Sequence, residues 1–158
     1  MDAFAEMYAD PSVMCDLGGP ISLEESRAKL LRYISMYEDF GFSRYCVEDV
    51  DGQFVGYVGV CPRDDGQTIG KNNEIDWRLR KDVWGKGYAT EAASACVVKF
   101  NRVHPASEII SYTSIDNKRS QSVMTQLNMD REPSRGFQWR DPDGASTRML
   151  VWVSNHLE

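Results

Sequence analysis

Two runs of alternating or continuous apolar character, EIDWRL at 74–79 and EIISYTSI at 108–115, enclose a stretch with helical periodicity. In the first run Ile75, Trp77 and Leu79 alternate with Glu74, Asp76 and Arg78, the pattern of a strand with two different faces. Between the runs Ala89, Ala92, Ala93, Cys96, Phe100 and Val103 recur at helical spacing. Strand, helix and strand in that order make a parallel pair with a right-handed crossover. A chain containing this unit is confined to a sheet with helices packed on its faces.

The flanking sequence adds antiparallel strands. SRYCVEDV and QFVGYVGV are separated by Asp51-Gly52, a strong hairpin signal. The second is apolar on both faces and is expected in the sheet interior. MDAFAEMYAD reads as a short amphipathic helix ending near Pro11. A second helix spans SLEESRAKLLRYISMYEDFG, with Ser22 and Glu25 as its capping box and Gly41 near its end. Its expected apolar face is Leu30, Leu31, Ile34 and Tyr37. A polar loop is expected from Pro62 to about Asn72. NKRSQSVMTQL reads as a short helix with Asn128 as a left-handed cap. FQWRD, a DPDG turn and TRMLVWV close the chain as a hairpin.

The 158 residues suit one domain, taken as 1–156, with Leu157 and Glu158 read as a vector-derived scar. A net charge of −6 argues against nucleic acid as a partner. No run reaches the roughly 18 apolar residues of a membrane span, and the acidic N-terminus lacks a secretion signal. Cys15, Cys46, Cys61 and Cys96 form no C-x-x-C pair and read as reduced thiols, which implies the cytoplasm. No metal site is expected.

The connection from the first strand to the helix reads VWGKGYATEA from Val83 to Ala92. Glycines at 85 and 87 leave backbone N–H groups unhindered directly before a helix, where unpaired amides and the helix dipole favour an anion. The spacing fits neither the phosphate loop G-x-x-x-x-G-K-[ST] nor the dinucleotide fingerprint G-x-G-x-x-G.

EIDWRLRKDVWGKGYATEAA followed by SYTSIDNKRSQSVMTQLNM closely resembles the GNAT superfamily of acyl-CoA-dependent N-acetyltransferases. The branch it resembles is that of ribosomal-protein N-terminal (alanine) acetyltransferases. The family's [Q/R]-x-x-G-x-[G/A] turn reads Trp84-Gly85-Lys86-Gly87-Tyr88-Ala89 here, with tryptophan departing from the general motif. The resemblance extends from about Asp2 to Met129.

That resemblance implies transfer of an acetyl group from acetyl-CoA to a primary amine by direct attack in a ternary complex. The acceptor would be a small-molecule amine or a protein N-terminus. The amides from Gly85 through Lys86, Gly87, Tyr88 and Ala89 to Thr90, beside Trp84, would hold the pyrophosphate. The main chain of Trp77, Arg78 and Leu79 would pair with the pantetheine arm, in a gap left by splaying of the two parallel strands. Asn117 would bond the arm from the other wall. Arg80, Lys81 and Lys86 either reach phosphates or form a solvated basic turn. A backbone N–H near Leu79 would be the oxyanion donor.

Glu74 and Asp76 lie two apart on one strand, share a face and are the candidate bases. The resemblance ranks Glu74 first. Where many relatives place an acidic tyrosine this chain has Met124, which donates nothing; Ser120 is the nearest hydroxyl, as proton donor or as a surface or pantetheine contact. His104 and His156 are expected at the surface. The fold implied is a mixed, mostly antiparallel α/β sheet with helices on both faces and a splayed parallel pair. It would lack the family's first edge strand, so SRYCVEDV would expose an edge that a second copy or a reshaped segment covers. The first two helices and the loop after Pro62 would shape the acceptor pocket. A non-catalytic acyl-CoA-binding module with a degenerate site is the alternative.

Overall fold

The structure is a computed structural model and describes residues 1–64, 69–140, 144 and 146–154. Seven strands form one sheet: β1 (Arg44–Glu48), β2 (Phe54–Asp64), β3 (Lys71–Leu79), β4 (Ile109–Ser114), β5 (Met129–Arg131), β6 (Phe137–Arg140) and β7 (Ser146–Ser154). Their order is β1-β2-β3-β4-β7-β5, with β6 also paired to β7. Only β3 and β4 run parallel; every other pairing is antiparallel.

The crossover is α4 (Tyr88–Val103), which buries Ala93 and Phe100 against Val58, Val60 and Ile75. α5 (Lys118–Gln126) adds Met124 to the same core, on the same face of the sheet. The opposite face carries α1 (Asp2–Ala9), α2 (Pro11–Met14) and α3 (Leu23–Phe40), whose Phe4, Met7, Tyr8, Val13 and Tyr33 enclose Tyr57 of β2. Helices therefore cover both faces. No described helix is long and apolar enough to cross a membrane.

The hairpin at Asp51-Gly52, with Gly52 at φ 74°, the Ser22–Glu25 capping box and Asn128 at φ 54° are present as expected. β1 ends the sheet: among the described residues its only strand partner is β2.

Several expectations are corrected. α3 turns Ser26 and Tyr33 inward and leaves Leu31, Ile34 and Tyr37 about half exposed. The buried face is set by the tyrosine cluster and lies about a quarter-turn from the stripe that periodicity picks out. Val103, at the end of α4, is 70% exposed. Pro62–Asp64 and Lys71–Asn72 belong to β2 and β3 rather than to a loop, with Pro62 paired to Asn73, Arg63 to Asn72 and Asp64 to Lys71. Residues 65–68 of that expected loop lie outside the described residues. α1 ends at Ala9, near Pro11 as expected; beyond that expectation, Pro11 opens α2, where its missing N–H costs nothing, and Asp10 caps that helix by accepting from Ser12 N at 2.7 Å. β5 is an additional strand. Of the two histidines, His156 lies outside the described residues, and His104 is half-buried against Phe42 and Phe100 rather than at the surface.

Candidate active site

The β2–β3 register builds the polar side of the site. Arg44, Gly59 and Asp76 lie in one row across β1, β2 and β3. Cys61, Glu74 and Ile110 form the next row, across β2, β3 and β4. Paired residues share a face, so Glu74 and Asp76 point to the side covered by α1–α3, as the alternation predicts. Gly59 has no side chain to block the row, and the Arg44 guanidinium crosses it to meet Asp76, with Nε 2.8 Å from Oδ1. A Cβ at Gly59 would strike the Ser43 carbonyl and Arg44 Cα of β1.

Glu74 is 6% exposed. Its Oε2 lies 3.0 Å from Arg63 Nε, and the same guanidinium donates from Nη2 to the Tyr112 hydroxyl at 2.9 Å. Tyr112 stands on β4, two residues beyond Ile110 and so on the same face. Burial first, and then repulsion from Asp76, raise the Glu74 carboxyl to about 7, against the opposing pull of Arg63, Arg44 and the Tyr112 hydrogen bond. Burial and the Glu74 charge push the Tyr112 phenol upward, so it remains a protonated donor. Beyond this pair, Tyr8 OH lies 2.8 Å from Tyr57 OH and 3.3 Å from Tyr33 OH, closing the site floor under α1.

The parallel strands separate where a substrate arm would enter. β3 and β4 pair only at Asn73–Ile109 and Glu74–Ile110, although β3 continues to Leu79 and β4 to Ser114. Main chain from Asp76 to Leu79 therefore has no strand partner on its β4 side. Trp77 packs toward α4. Arg78 points to the other face, its Nη1 donating to Val13 O at 2.8 Å. Trp84 folds back on this strand end, with Nε1 donating to Leu79 O at 2.9 Å, and the Arg119 guanidinium lies 3.8 Å from its ring centroid. Asn117 caps α5 through Oδ1, which accepts from Ser120 N at 3.1 Å, and donates from Nδ2 to Asp16 at 2.9 Å. Ser120 is half-buried one turn into α5.

The glycine turn is open. Gly85 and Gly87 have φ 74° and 88°, and a Cβ at either would meet nothing within 4 Å. Among the described residues, no turn or cap hydrogen bond starts at an amide from Gly85 to Thr90. The first donor is Glu91, to Gly87 O at 3.0 Å. Thr90 Oγ1 donates to Gln126 at 2.9 Å and fixes the start of α4 to α5. A row of unpaired amides at the positive end of a 16-residue helix, with space above it, fits a diphosphate. Of the three nearby cations, Arg80 is held by Asp82 at 2.8 Å and Lys81 donates to Ser12 Oγ at 3.0 Å. Lys86 is exposed and carries no partner among the described residues.

Met124 is 1% exposed among Ile75, Phe100, Ile109 and Met129, on the core side of α5. It is a packing residue. Among the described residues no cluster of side chains is suited to a metal. A 90 Å³ cavity between Phe42, Tyr45, Cys96, Phe100 and His104 lies against α4, on the face away from Glu74, and is lined mainly by apolar groups. Sequence reading missed Arg44, Arg63, Tyr112, Asp16 and Arg119. They come from separate elements: the strand register brings Arg44, Arg63 and Tyr112 to Asp76 and Glu74, while Asp16 and Arg119 meet Asn117 and Trp84 through packing of other segments. The one local signal was Tyr112, two residues from Ile110 on a strand already recognised.

An open row of amides at a helix start, a splayed parallel pair and a buried carboxyl beside the gap are the features that the comparisons with known proteins explain. Residues 1–130 match the family model for the acetyltransferase (GNAT) domain. The chain is 31% identical over 128 residues to YkkB, an uncharacterized protein of Bacillus subtilis strain 168, covering 80% of this chain and 73% of that one. It shares its fold with the ribosomal-protein-alanine N-acetyltransferase of Brucella melitensis, with a TM-score of 0.72, 17% identity and coverage of 97% and 92%. The same holds for YncA, a putative acetyltransferase of Salmonella typhimurium solved with its cofactor acetyl-CoA, with a TM-score of 0.73, 15% identity and coverage of 99% and 88%. The chain belongs to the GNAT acetyltransferase family, and its reaction is acetyl transfer from acetyl-CoA to an amine.

Proposed function

We propose that Glu74 takes the proton from the acceptor ammonium, which leaves a neutral amine free to attack in a ternary complex. The observation that carries this reading is the buried Glu74 carboxyl, raised to about 7 and placed where the parallel strands begin to part. A base with that affinity is part-ionised at neutral pH and strong enough to accept the proton. Acetyl-CoA, when bound, supplies an acetyl group activated as a thioester.

The chain's own groups divide the remaining tasks. Amides from Gly85 through Lys86, Gly87, Tyr88 and Ala89 to Thr90 hold the diphosphate, with Trp84 as a flanking wall. The main chain of Trp77, Arg78 and Leu79 aligns the pantetheine arm, and an N–H near Leu79 donates to the acetyl oxygen as it gains charge. Asn117 offers its amide group to the arm by exchanging Asp16 as partner. Asp76, clamped by Arg44, keeps Glu74 in its raised state. Ser120, one turn before Met124 on α5, is the hydroxyl that would serve as proton donor to the departing thiolate or as a contact for the arm. A thiol of pKa roughly 8.5 leaves without a dedicated acid at modest cost. Replacing Glu74 with Gln tests the assignment: kcat/KM falls by about 10²–10⁴ while coenzyme A affinity is kept.

A second reading, a binding module without turnover, draws on Met124, which leaves no tyrosine at that position. Acetyl-CoA binding with no thiol release over a panel of amines would favour it. We further infer that residues 1–156 act as one domain in the cytoplasm, where four free thiols are stable. The β1 edge is covered in solution by a second copy of the chain or by a reshaped segment. Sedimentation, together with rapid amide exchange confined to β1 in a monomer, tests that point.

A further inference from the structure

A cleft of about 280 Å³ opens beside the Glu74–Arg63 pair, bounded by Arg32 and Met36 of α3, Arg44 of β1, and Pro62, Arg63 and Asp64 of β2. Three of its six lining residues are arginines, in a chain whose net charge is −6. Their donors are only partly used. Arg44 commits Nε to Asp76 and Nη1 to Cys61 Sγ at 2.9 Å, leaving Nη2 without an acceptor among the described residues. Arg63 commits Nε to Glu74 and Nη2 to Tyr112, leaving Nη1. Arg32 is exposed and has no carboxylate partner among the described residues; its guanidinium carbon lies 5.8 Å from the Tyr33 ring centroid.

Nearby Lys29 responds to the same field. Burial first, and then Arg32, Arg44 and Arg78, hold its ammonium below the usual range. Asp64 is the carboxylate that lines the cleft, with Lys71 Nζ at 3.9 Å, while Asp76 and Glu74 are paired with Arg44 and Arg63. Among the residues lining the cleft three arginines stand against one aspartate, so a cationic acceptor would meet repulsion here.

We propose that the acceptor is a small amine carrying a carboxylate, with the carboxylate held in the arginine cleft by Arg32, Arg44 and Arg63 and the amine turned toward Glu74. Arg63 links the two ends: its Nε faces Glu74, and its Nη1 is left for the substrate carboxylate. Planar forks of this kind match a carboxylate two bonds at a time. This inference rests on the assignment of Glu74 as the base side of the reaction.

The test uses alanine, phenylalanine and glutamate, each against its α-carboxamide, with acetyl-CoA and thiol release as readout. The expected result is a kcat/KM at least tenfold higher for the carboxylate of each pair, with that ratio shrinking severalfold or more in Arg32→Gln. Calorimetric titration of the same compounds into the coenzyme-A-saturated protein reads the preference without turnover. Carboxylate binding that Arg32→Gln weakens, with no thiol released, supports the cleft and overturns the transfer role of Glu74. Turnover or binding that favours the carboxamides, a diamine or a protein N-terminal peptide overturns the cleft assignment, as does a ratio unchanged by Arg32→Gln.

Discussion

Arg44 and Asp76 stand on strands two apart, and their side chains meet at 2.8 Å across Gly59, which lies between them in the same row. The Arg44 side chain is 6% exposed, so removing its partner strands a buried charge, at a cost of about 3–5 kcal/mol. Asp76→Asn also removes the repulsion that raises Glu74 and frees Arg44 to act on it, and both changes lower the Glu74 pKa. The acidic limb of the kcat/KM profile should move down from near pH 7 while the urea midpoint falls.

Glu74→Gln separates catalysis from stability. The folded carboxyl is raised to about 7 from 4.5, so the folded chain binds the proton more tightly than the unfolded chain. Stability in the parent protein is then lost as pH rises from 4.5 through 7. The Gln variant escapes that loss. It should be more stable than the parent at pH 8 by on the order of 1–3 kcal/mol, with the advantage vanishing near pH 4. Denaturant titrations at the two pH values check the sign, and the variant's low activity shows that the gain is not functional.

Gly85→Ala and Gly52→Ala make a matched pair. Both glycines have φ 74°, and a Cβ at either meets open space. Each substitution should cost about 1–2 kcal/mol from left-handed backbone strain alone. Under the proposed binding mode only Gly85→Ala puts a methyl group where the diphosphate would approach the amides, so only it should weaken coenzyme A binding, by tenfold or more. Calorimetry on both variants distinguishes a cradle from an ordinary turn.

Met124 fills the core against Ile75 and Phe100 and takes no part in proton transfer. Met124→Leu should leave kcat within about twofold and cost less than about 1.5 kcal/mol. Met124→Ala should cost about 2–5 kcal/mol in stability, with kcat retained below its melting temperature. A large loss of kcat in the Leu variant would place Met124 in the chemistry.

The local grammar of the chain was legible where one segment decides its own structure. Asp51-Gly52, the Ser22–Glu25 box, Asn128 and the strand–helix–strand unit each depend on neighbouring residues and on little else. The inward face of α3 differs from the expected stripe because Tyr33 is drawn in by Ser43, whose hydroxyl donates to its carbonyl, and by the Tyr8–Tyr57 cluster, contacts made far along the chain. Glu74 and Asp76 were found from period-two alternation. Their partners Arg44 and Arg63 were not, because the pairing depends on the register across Gly59 and Cys61. The splay was expected from family resemblance, and its starting point, just after Glu74, comes from the β3–β4 pairing alone.

The central claim is that the amides of Gly85–Thr90 grip the coenzyme's diphosphate while its sulfur end lies along β3. Amide NMR of the full chain, titrated with coenzyme A, tests it most directly. Saturating shifts concentrated at Gly85–Thr90 and Asp76–Leu79, together with slowed exchange of the turn amides, are the predicted result. Saturation with those resonances unmoved, or no binding at millimolar coenzyme A, would contradict it.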